Sequence, residues 1–432
     1  MNGWVAAGPD ASKPLPPRTT SCFSSPPVRH SSLASVLALL AGCGGTEPPP
    51  ASSQIPPEGD ALIVGRVLDG TLDPDTGLAE VAHASGWPIS TSRGYLFATR
   101  DQGAGPYTVE SPTGSFPTAE MKSQAGLAWA LVQVPSPEGA EYRFLDAAGT
   151  GFSDPLSRHF AYSGIANQTR SFVLLGGPHL ERWPGIGDAK LPPRTIRVLV
   201  PAASPTHTMY AMDGQNLFGP SPFGGWRLQD AAGPTTLVVG IDSTPDRIAE
   251  YTAVTDAVGG QPFGGKGIDY ADFVEKTVRP FIQARYGATT HVGVMGSSLG
   301  GVISYVIKRR YPASYEFVAS LSGTMGWGSI GSGFHNLTEI EAWAGLGSCP
   351  EGRFYVDSGG GPGSGCTDSD GDGIQDDTPD AADSYCENVQ FRDTLSGLGC
   401  TRVDYAFSSG APHQEAAWRG RSPAIFDLFE AN

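Results

Sequence analysis

No apolar run in this 432-residue chain reaches the roughly 18 residues that a membrane-spanning helix needs. Nothing in it is therefore read as crossing a bilayer. Basic residues are scarce: 28 Lys and Arg face 44 Asp and Glu, for a net charge of −16. Phosphate contacts need clustered Lys and Arg, so neither nucleic acid nor an anionic membrane surface is an expected partner. Between Arg353 and Arg392 there is no basic residue at all. From residue 61 to about residue 180 no segment of useful length carries a helical period. What is there is 39% apolar and 17% charged, the balance of a globular, soluble chain long enough for two domains.

Residues 28–43, VRHSSLASVLALLAGC, run from a short basic region through an apolar stretch to a small-residue cleavage site. Leu40-Ala41-Gly42-Cys43 resembles the lipobox of bacterial lipoproteins, which implies cleavage before Cys43 and diacylation of its thiol. The first 42 residues carry +2, which leaves −18 on the remainder. Residues before Val28 are Pro- and Ser-rich and suit no export signal, so Val28 is read as the true start. The Pro-rich stretch 44–60 then serves as a tether. The reading is an exported lipoprotein of the outer membrane, touching the membrane only through its anchor. Of six cysteines, Cys349, Cys366, Cys386 and Cys400 remain for the folded part, and in an exported chain they suggest two disulfides with three possible pairings. We favour Cys366–Cys386, bracketing one loop, and Cys349–Cys400, each just before an expected strand.

Residues 61–180 read as short strands between Gly, Pro and Ser turns (ALIVGRVL, GYLFATR, LAWALVQV, AEYRFLD, RSFVLL), and a small all-β sandwich is expected. Residues 141–173 resemble the end of the immunoglobulin-like module that precedes the catalytic domain in enterochelin-esterase-like proteins. From Trp183 to Asn432 strands alternate with helical patterns, which predicts an α/β domain with a mostly parallel sheet covered by helices on both faces. Ligands bind at the carboxyl ends of such strands.

The stretch 291–311, HVGVMGSSLGGVISYVIKRRY, organises that second domain. Residues 291–295 alternate as a buried strand would, Gly296-Ser297-Ser298-Leu299-Gly300 turns tightly, and Val302, Ile303, Val306 and Ile307 follow at helical spacing. With 58 glycines in the chain a chance Gly-x-Ser-x-Gly is not rare, yet it occurs once and in this context. Such an elbow lifts the Ser298 hydroxyl above the sheet edge. A hydroxyl is a weak nucleophile until a base removes its proton, so an acid and then a His are expected further along the chain. The N–H of Leu299, directly after the nucleophile, is one expected oxyanion donor.

Four motifs together resemble the putative-esterase family of α/β-hydrolases, which includes esterase D, feruloyl esterases, enterochelin esterases and mycolyltransferases. They are Met212-Asp213-Gly214-Gln215-Asn216-Leu217-Phe218 with Gly225-Trp226; Gly240-Ile241-Asp242 with Arg247, Glu250 and Tyr251; residues 296–301; and His413 with Glu415 and Trp418. The resemblance covers most of residues 190–432. It implies His413 as the base and the N–H of Gln215 as the second oxyanion donor. For the acid it leaves Asp383, just before a helix, then Asp357, ending the strand FYVD, with another loop Asp or a Ser-His dyad as further alternatives. Trp418 is read as packing beneath the His413 loop.

Between those two carboxylates lies an acidic insertion at about residues 358–386. Its Asp368-x-Asp370-x-Asp372-Gly373 resembles the calcium loops of EF-hands and thrombospondin type 3 repeats, with Ile374 offering a carbonyl and Asp376 beyond. Structural Ca2+ is expected there, and no cofactor for catalysis. The functional expectation is a carboxylic ester hydrolase with an acyl-enzyme on Ser298, acting on a small-molecule or glycan-linked ester. The alternatives are acyl transfer to a sugar and a non-catalytic, glycan-binding lipoprotein.

Overall fold

The computed structural model describes residues 60–431 apart from 167, 222–223, 258–259, 332 and 377–382. The export signal, Cys43 and all but the last residue of the 44–60 tether lie outside the described residues. Among those described, no helix is long and apolar enough to cross a membrane.

The second domain is built on eight strands: β1 (His179–Ile186), β2 (Arg194–Val200), β3 (His207–Met212), β4 (Thr236–Ile241), β5 (His291–Ser297), β6 (Phe317–Leu321), β7 (Arg353–Ser358) and β8 (Val403–Phe407). They lie in the order β8-β7-β6-β5-β3-β4-β2-β1. From β4 to β8 each neighbour is parallel, and β2 runs antiparallel to both β1 and β4. This is the mostly parallel sheet that the alternation of strand and helix predicts. Successive side chains point to opposite faces. Tyr210, Val239, Val294, Val318 and Val356 thus enter one apolar cluster, while Met209, Val238, Met295, Ala319 and Tyr355 enter the other.

Helices cover both clusters. On the first side lie α1 (Arg247–Tyr251), α2 (Gly267–Phe273), a π-helical turn (Val274–Val278), α3 (Arg279–Tyr286), α4 (Leu299–Arg310), α5 (Glu339–Ala344) and α6 (Tyr385–Gly397). On the second, α7 (Glu415–Glu430) buries Trp418, Ile425, Phe426 and Phe429. Each such aromatic contributes roughly 2–3 kcal/mol of transfer free energy when fully buried. Both favoured disulfides are present, Cys349–Cys400 and Cys366–Cys386.

The first domain departs from the all-β sandwich expected. Two sheets do share a core, in which Phe97, Ala128 and Ala130 of the four-stranded sheet meet Val109, Tyr142 and Phe144 of an arm of the large sheet. However, the segment ALIVGRVL, read as a strand, is a helix over Asp60–Asp69, and a second helix spans Gly77–Ala84. Ile63 and Val67 stand four residues apart and therefore share one helical face, which packs with Val81 and Ala82 on Trp87, Leu96, Leu127 and Trp129. The β-branched residues of that segment hid this period. Gly70, at φ 73°, ends the first helix, and the N–H of Thr71 returns to the Arg66 carbonyl at 2.9 Å.

The two domains share hydrogen-bonded backbone. Strand His159–Tyr162 pairs with β1, placing Phe160 opposite Leu180 and His159 opposite Glu181. Tyr162 lies so close to Gly219 that a Cβ there would stand 2.2 Å from its ring. Its hydroxyl accepts from Arg197, whose guanidinium also pairs with both Asp242 oxygens at 2.8 Å.

Candidate active site

In register, Ser297 of β5, Leu321 of β6, Asp357 of β7 and Ala406 of β8 form one line across the carboxyl end of the sheet. Everything that follows hangs from that line. Ser298 links β5 to α4 with φ 54° and ψ −129°, a conformation that costs a non-glycine residue on the order of 1–3 kcal/mol. The turn closes because Gly296 faces Gly300 with no side chain between: a Cβ on Gly296 would sit 2.4 Å from the Gly300 oxygen. The Ser298 N–H donates to the Leu321 carbonyl at 3.0 Å, and its own carbonyl accepts from Gly301, so the strained residue is held from both sides.

Ser322, the next residue along β6, is also left-handed, at φ 49°. Its hydroxyl donates to Asp383 Oδ2 at 2.5 Å and accepts from Trp418 Nε1 at 3.2 Å and Arg421 Nη2 at 2.9 Å. The Gly359 N–H, just past β7, donates to that same Asp383 oxygen. The other Asp383 oxygen receives His413 Nδ1 at 2.8 Å. This is where the structure separates the two candidate acids. Asp383 faces the imidazole, whereas Asp357 accepts from Ser322 N–H, Arg421 Nη1 and Tyr355 OH and forms a buried ion pair with Arg421. Burial pushes the Asp357 carboxyl up to about 7 against the pull of Arg421.

With Nδ1 bound to a carboxylate, the imidazole carries its proton there and presents a lone pair at Nε2. That atom is buried and takes no partner among the described residues. Ser298 is 2% exposed, and no hydrogen bond joins its Oγ to His413 among the described residues. Trp418 lies edge-on to the His413 ring, with centroids 5.0 Å apart, and touches Trp226 on its other flank. It packs beneath the loop, as expected.

The Met212–Phe218 segment leaves β3 through Asp213, at φ 59°, into a short 3-10 turn. Arg247 grips both Asp213 oxygens at 2.7 and 2.9 Å, and the Asp213 N–H donates to Tyr251 OH. Glu250 is consumed by a buried pair with Arg194. The backbone N–H groups of Leu299 and Gln215 meet no acceptor among the described residues. The Gln215 side chain instead exchanges two hydrogen bonds with Ser243. Asn216 donates to Glu415, whose second oxygen is buried and unpaired. Burial, with the Asp213 charge adding to it, raises that carboxyl to about 7.

In the acidic insertion, one oxygen each of Asp368, Asp370 and Asp372 lies within 4.8 Å of the others. Gly371, Asp372 and Gly373 aim backbone N–H groups at Asp368. Asp376 falls outside this convergence, because it accepts from the Ser369 N–H and hydroxyl. Ile374 buries its side chain in the main core and donates its N–H to Asp372. His335 and Ser329 also reach Asp372.

Ser322 and Arg421 went unread in the sequence. The only signal for Ser322 is a serine one step past a buried strand, where the elbow serine also stands. Arg421 lies two residues before Pro423, inside a helix whose broken bond is repaired by the Ser422 hydroxyl donating to the Arg419 carbonyl.

A helix-covered, mostly parallel sheet with a serine elbow, a carboxylate-bound imidazole after its last strand, and two backbone N–H groups that meet no acceptor among the described residues is the architecture of an α/β-hydrolase. Residues 190–425 match the family described as putative esterase, and the chain belongs to it. It is by family an ester hydrolase. The chain is 29% identical over 130 residues to the uncharacterized protein YbbA of Bacillus subtilis, a match covering 27% of this chain and 49% of that one, so it spans about half the length of that curated relative. Among solved structures, an IroE-like serine hydrolase from Shewanella oneidensis is 18% identical with a TM-score of 0.46, covering 58% of this chain and 80% of that one. The enterochelin esterase of Shigella flexneri is 15% identical with a TM-score of 0.45, covering 78% and 92%.

Proposed function

We propose that the protein hydrolyses carboxylic esters through an acyl-enzyme on Ser298, with His413 as general base and Asp383 as its acid partner. As Ser298 Oγ bonds to the ester carbonyl carbon, its proton passes to His413 Nε2. Nε2 returns that proton to the departing alcohol oxygen as the C–O bond breaks. A water then attacks the acyl-enzyme, gives its proton to Nε2, and Ser298 recovers it as the carboxylic acid leaves. The Leu299 and Gln215 N–H groups hold the oxygen that becomes negative in each tetrahedral intermediate. The observation that carries this reading is the His413 Nδ1 to Asp383 hydrogen bond, which leaves Nε2 as the nitrogen available to act as a base. Hydrolysis of a short-acyl nitrophenyl ester and labelling by a fluorophosphonate test it. Both should fall by at least about 10³-fold in Ser298→Ala and His413→Ala. Equal rates in parent and variants would dismiss it.

We also infer that the insertion binds Ca2+ through Asp368, Asp370 and Asp372, a hard, oxygen-only set suited to that ion. The ion would neutralise a segment without basic residues and so brace the loop that carries Asp383. Chelation should lower the melting temperature, and an unchanged value after thorough Ca2+ removal would count against it. Export and anchoring through Cys43 are part of the same proposal. The two disulfides support export, and mass spectrometry of the mature N-terminus tests the anchor.

A further inference from the structure

At the seam between the domains three side chains converge that play no part in the chemistry above. His159 and Glu181 face each other across the pairing of strand His159–Tyr162 with β1, and His179 stands two residues before Glu181 on the same strand. Cross-strand partners and residues two apart share one face of a sheet, so the register alone gathers two imidazoles and a carboxylate. One ring nitrogen each of His159 and His179 and one Glu181 oxygen all lie within 4.8 Å of one another. His159 is 7% exposed, and its Nδ1 has no hydrogen-bond partner among the described residues and lies 4.0 Å from Glu181 Oε1. His179 is oriented from behind: Nδ1 lies 2.7 Å from the Gly177 carbonyl, which fixes a proton on that nitrogen, and Nε2 lies 3.1 Å from Glu181 Oε1. That contact holds either a proton on Nε2 or, in its place, a metal ion shared by the nitrogen and the oxygen, and the unpartnered His159 Nδ1 beside it offers a third donor only to the metal. A carbonyl behind the distal nitrogen is also how metal-binding histidines are held.

We propose that His159, His179 and Glu181 form a site for a borderline divalent transition ion, Zn2+ first, distinct from the acidic loop. Two imidazole nitrogens and one carboxylate oxygen are a Zn2+ donor set, with water as the fourth ligand. A tetrahedral ion about 2.0–2.1 Å from each donor separates them by about 3.3 Å, so His159 closes by roughly 1 Å on binding. Glu181 Oε2 remains held by Arg158 Nε at 3.0 Å and by the Tyr286 hydroxyl, which accepts in turn from Trp183 Nε1. Because His159 belongs to the first domain while β1 and Tyr286 belong to the second, the ion would clamp one to the other.

The test uses the full mature protein, stripped of metal and then held in excess Ca2+ so that the acidic loop is saturated. Isothermal titration should show one Zn2+ bound per chain and a rise in melting temperature, both lost in His159→Phe and His179→Ala, with nitrophenyl-ester turnover unchanged. Zn2+ uptake that survives both substitutions, or no uptake by the parent, overturns the proposal. Should the variants fold poorly, Co2+ added to the parent decides. Intense visible absorption of a tetrahedral, nitrogen-ligated ion, bleached by Zn2+, supports the site, and the faint bands of an oxygen-only octahedral ion refute it.

Discussion

Replacing Asp383 by Asn removes one charge and, through hydrogen-bond polarity, reverses the imidazole. Two donors converge on Asp383 Oδ2: the Gly359 N–H, which has no alternative role, and the Ser322 hydroxyl. Ser322 already accepts from Trp418 Nε1 and Arg421 Nη2, so its own proton has to go to residue 383. An amide NH2 accepts nothing, so the Asn oxygen takes the Oδ2 position and the NH2 turns to His413 Nδ1. Nδ1 must then accept, the proton moves to Nε2, and the basic nitrogen that the proposed mechanism needs is gone. Loss of the correct tautomer costs on the order of 10⁴ in kcat, or about 5 kcal/mol of barrier. Asp357→Asn is the control. Its oxygen still accepts from Ser322 N–H and Arg421, its NH2 donates to Tyr355, and the loss falls on the Arg421 ion pair, hence on stability. Steady-state hydrolysis of a nitrophenyl ester, with a melting curve on each variant, separates the two. The reasoning fails if Asp383→Asn keeps kcat within tenfold of the parent, or if Asp357→Asn loses as much at an unchanged melting temperature.

Two further outcomes follow from the same region. The folded state holds a proton on Glu415 up to about pH 7, whereas the unfolded chain releases it near 4.5, so this group's contribution to stability is complete below 4.5 and is lost as pH rises through 7. Glu415→Gln should flatten the fall in melting temperature between those limits, and superimposable pH profiles for parent and variant would remove the argument. The Cys366–Cys386 disulfide, with a sequence separation of 20, closes a short loop around Asp383, whereas the Cys349–Cys400 loop, with a separation of 51, encloses that segment together with β7 and α6 and constrains it less closely. Chain entropy assigns them about 3 and about 4 kcal/mol of stability respectively. Replacing Cys366 and Cys386 by Ser should nevertheless cost more in kcat than replacing Cys349 and Cys400, and the reverse ranking, read from initial rates on folded protein, would contradict it.

What could be read in the sequence was whatever local chemistry dictates. Alternation over residues 291–295 and helical spacing from Val302 to Ile307 are properties of a few neighbouring residues, and both elements form where that spacing puts them. The acid was undecided for the complementary reason. Asp357 and Asp383 both sit at a strand or helix edge, and only the position of Ser322, Gly359 and Arg421, brought in from three separate segments, determines which carboxylate turns toward His413. The helix Asp60–Asp69 was misread because Ile63, Val64 and Val67 favour strands intrinsically, and it was the apolar floor of Trp87, Leu127 and Trp129, distant along the chain, that made a helical face the better burial. The same division explains why the His159–His179–Glu181 cluster went unseen. His179 and Glu181 are two apart and visible, but a spacing of two on a strand means nothing until a partner strand brings a third ligand to the same face. His159 arrives only because its strand pairs with β1 in one register, and a slip by a single residue would turn it to the opposite face and dissolve the site.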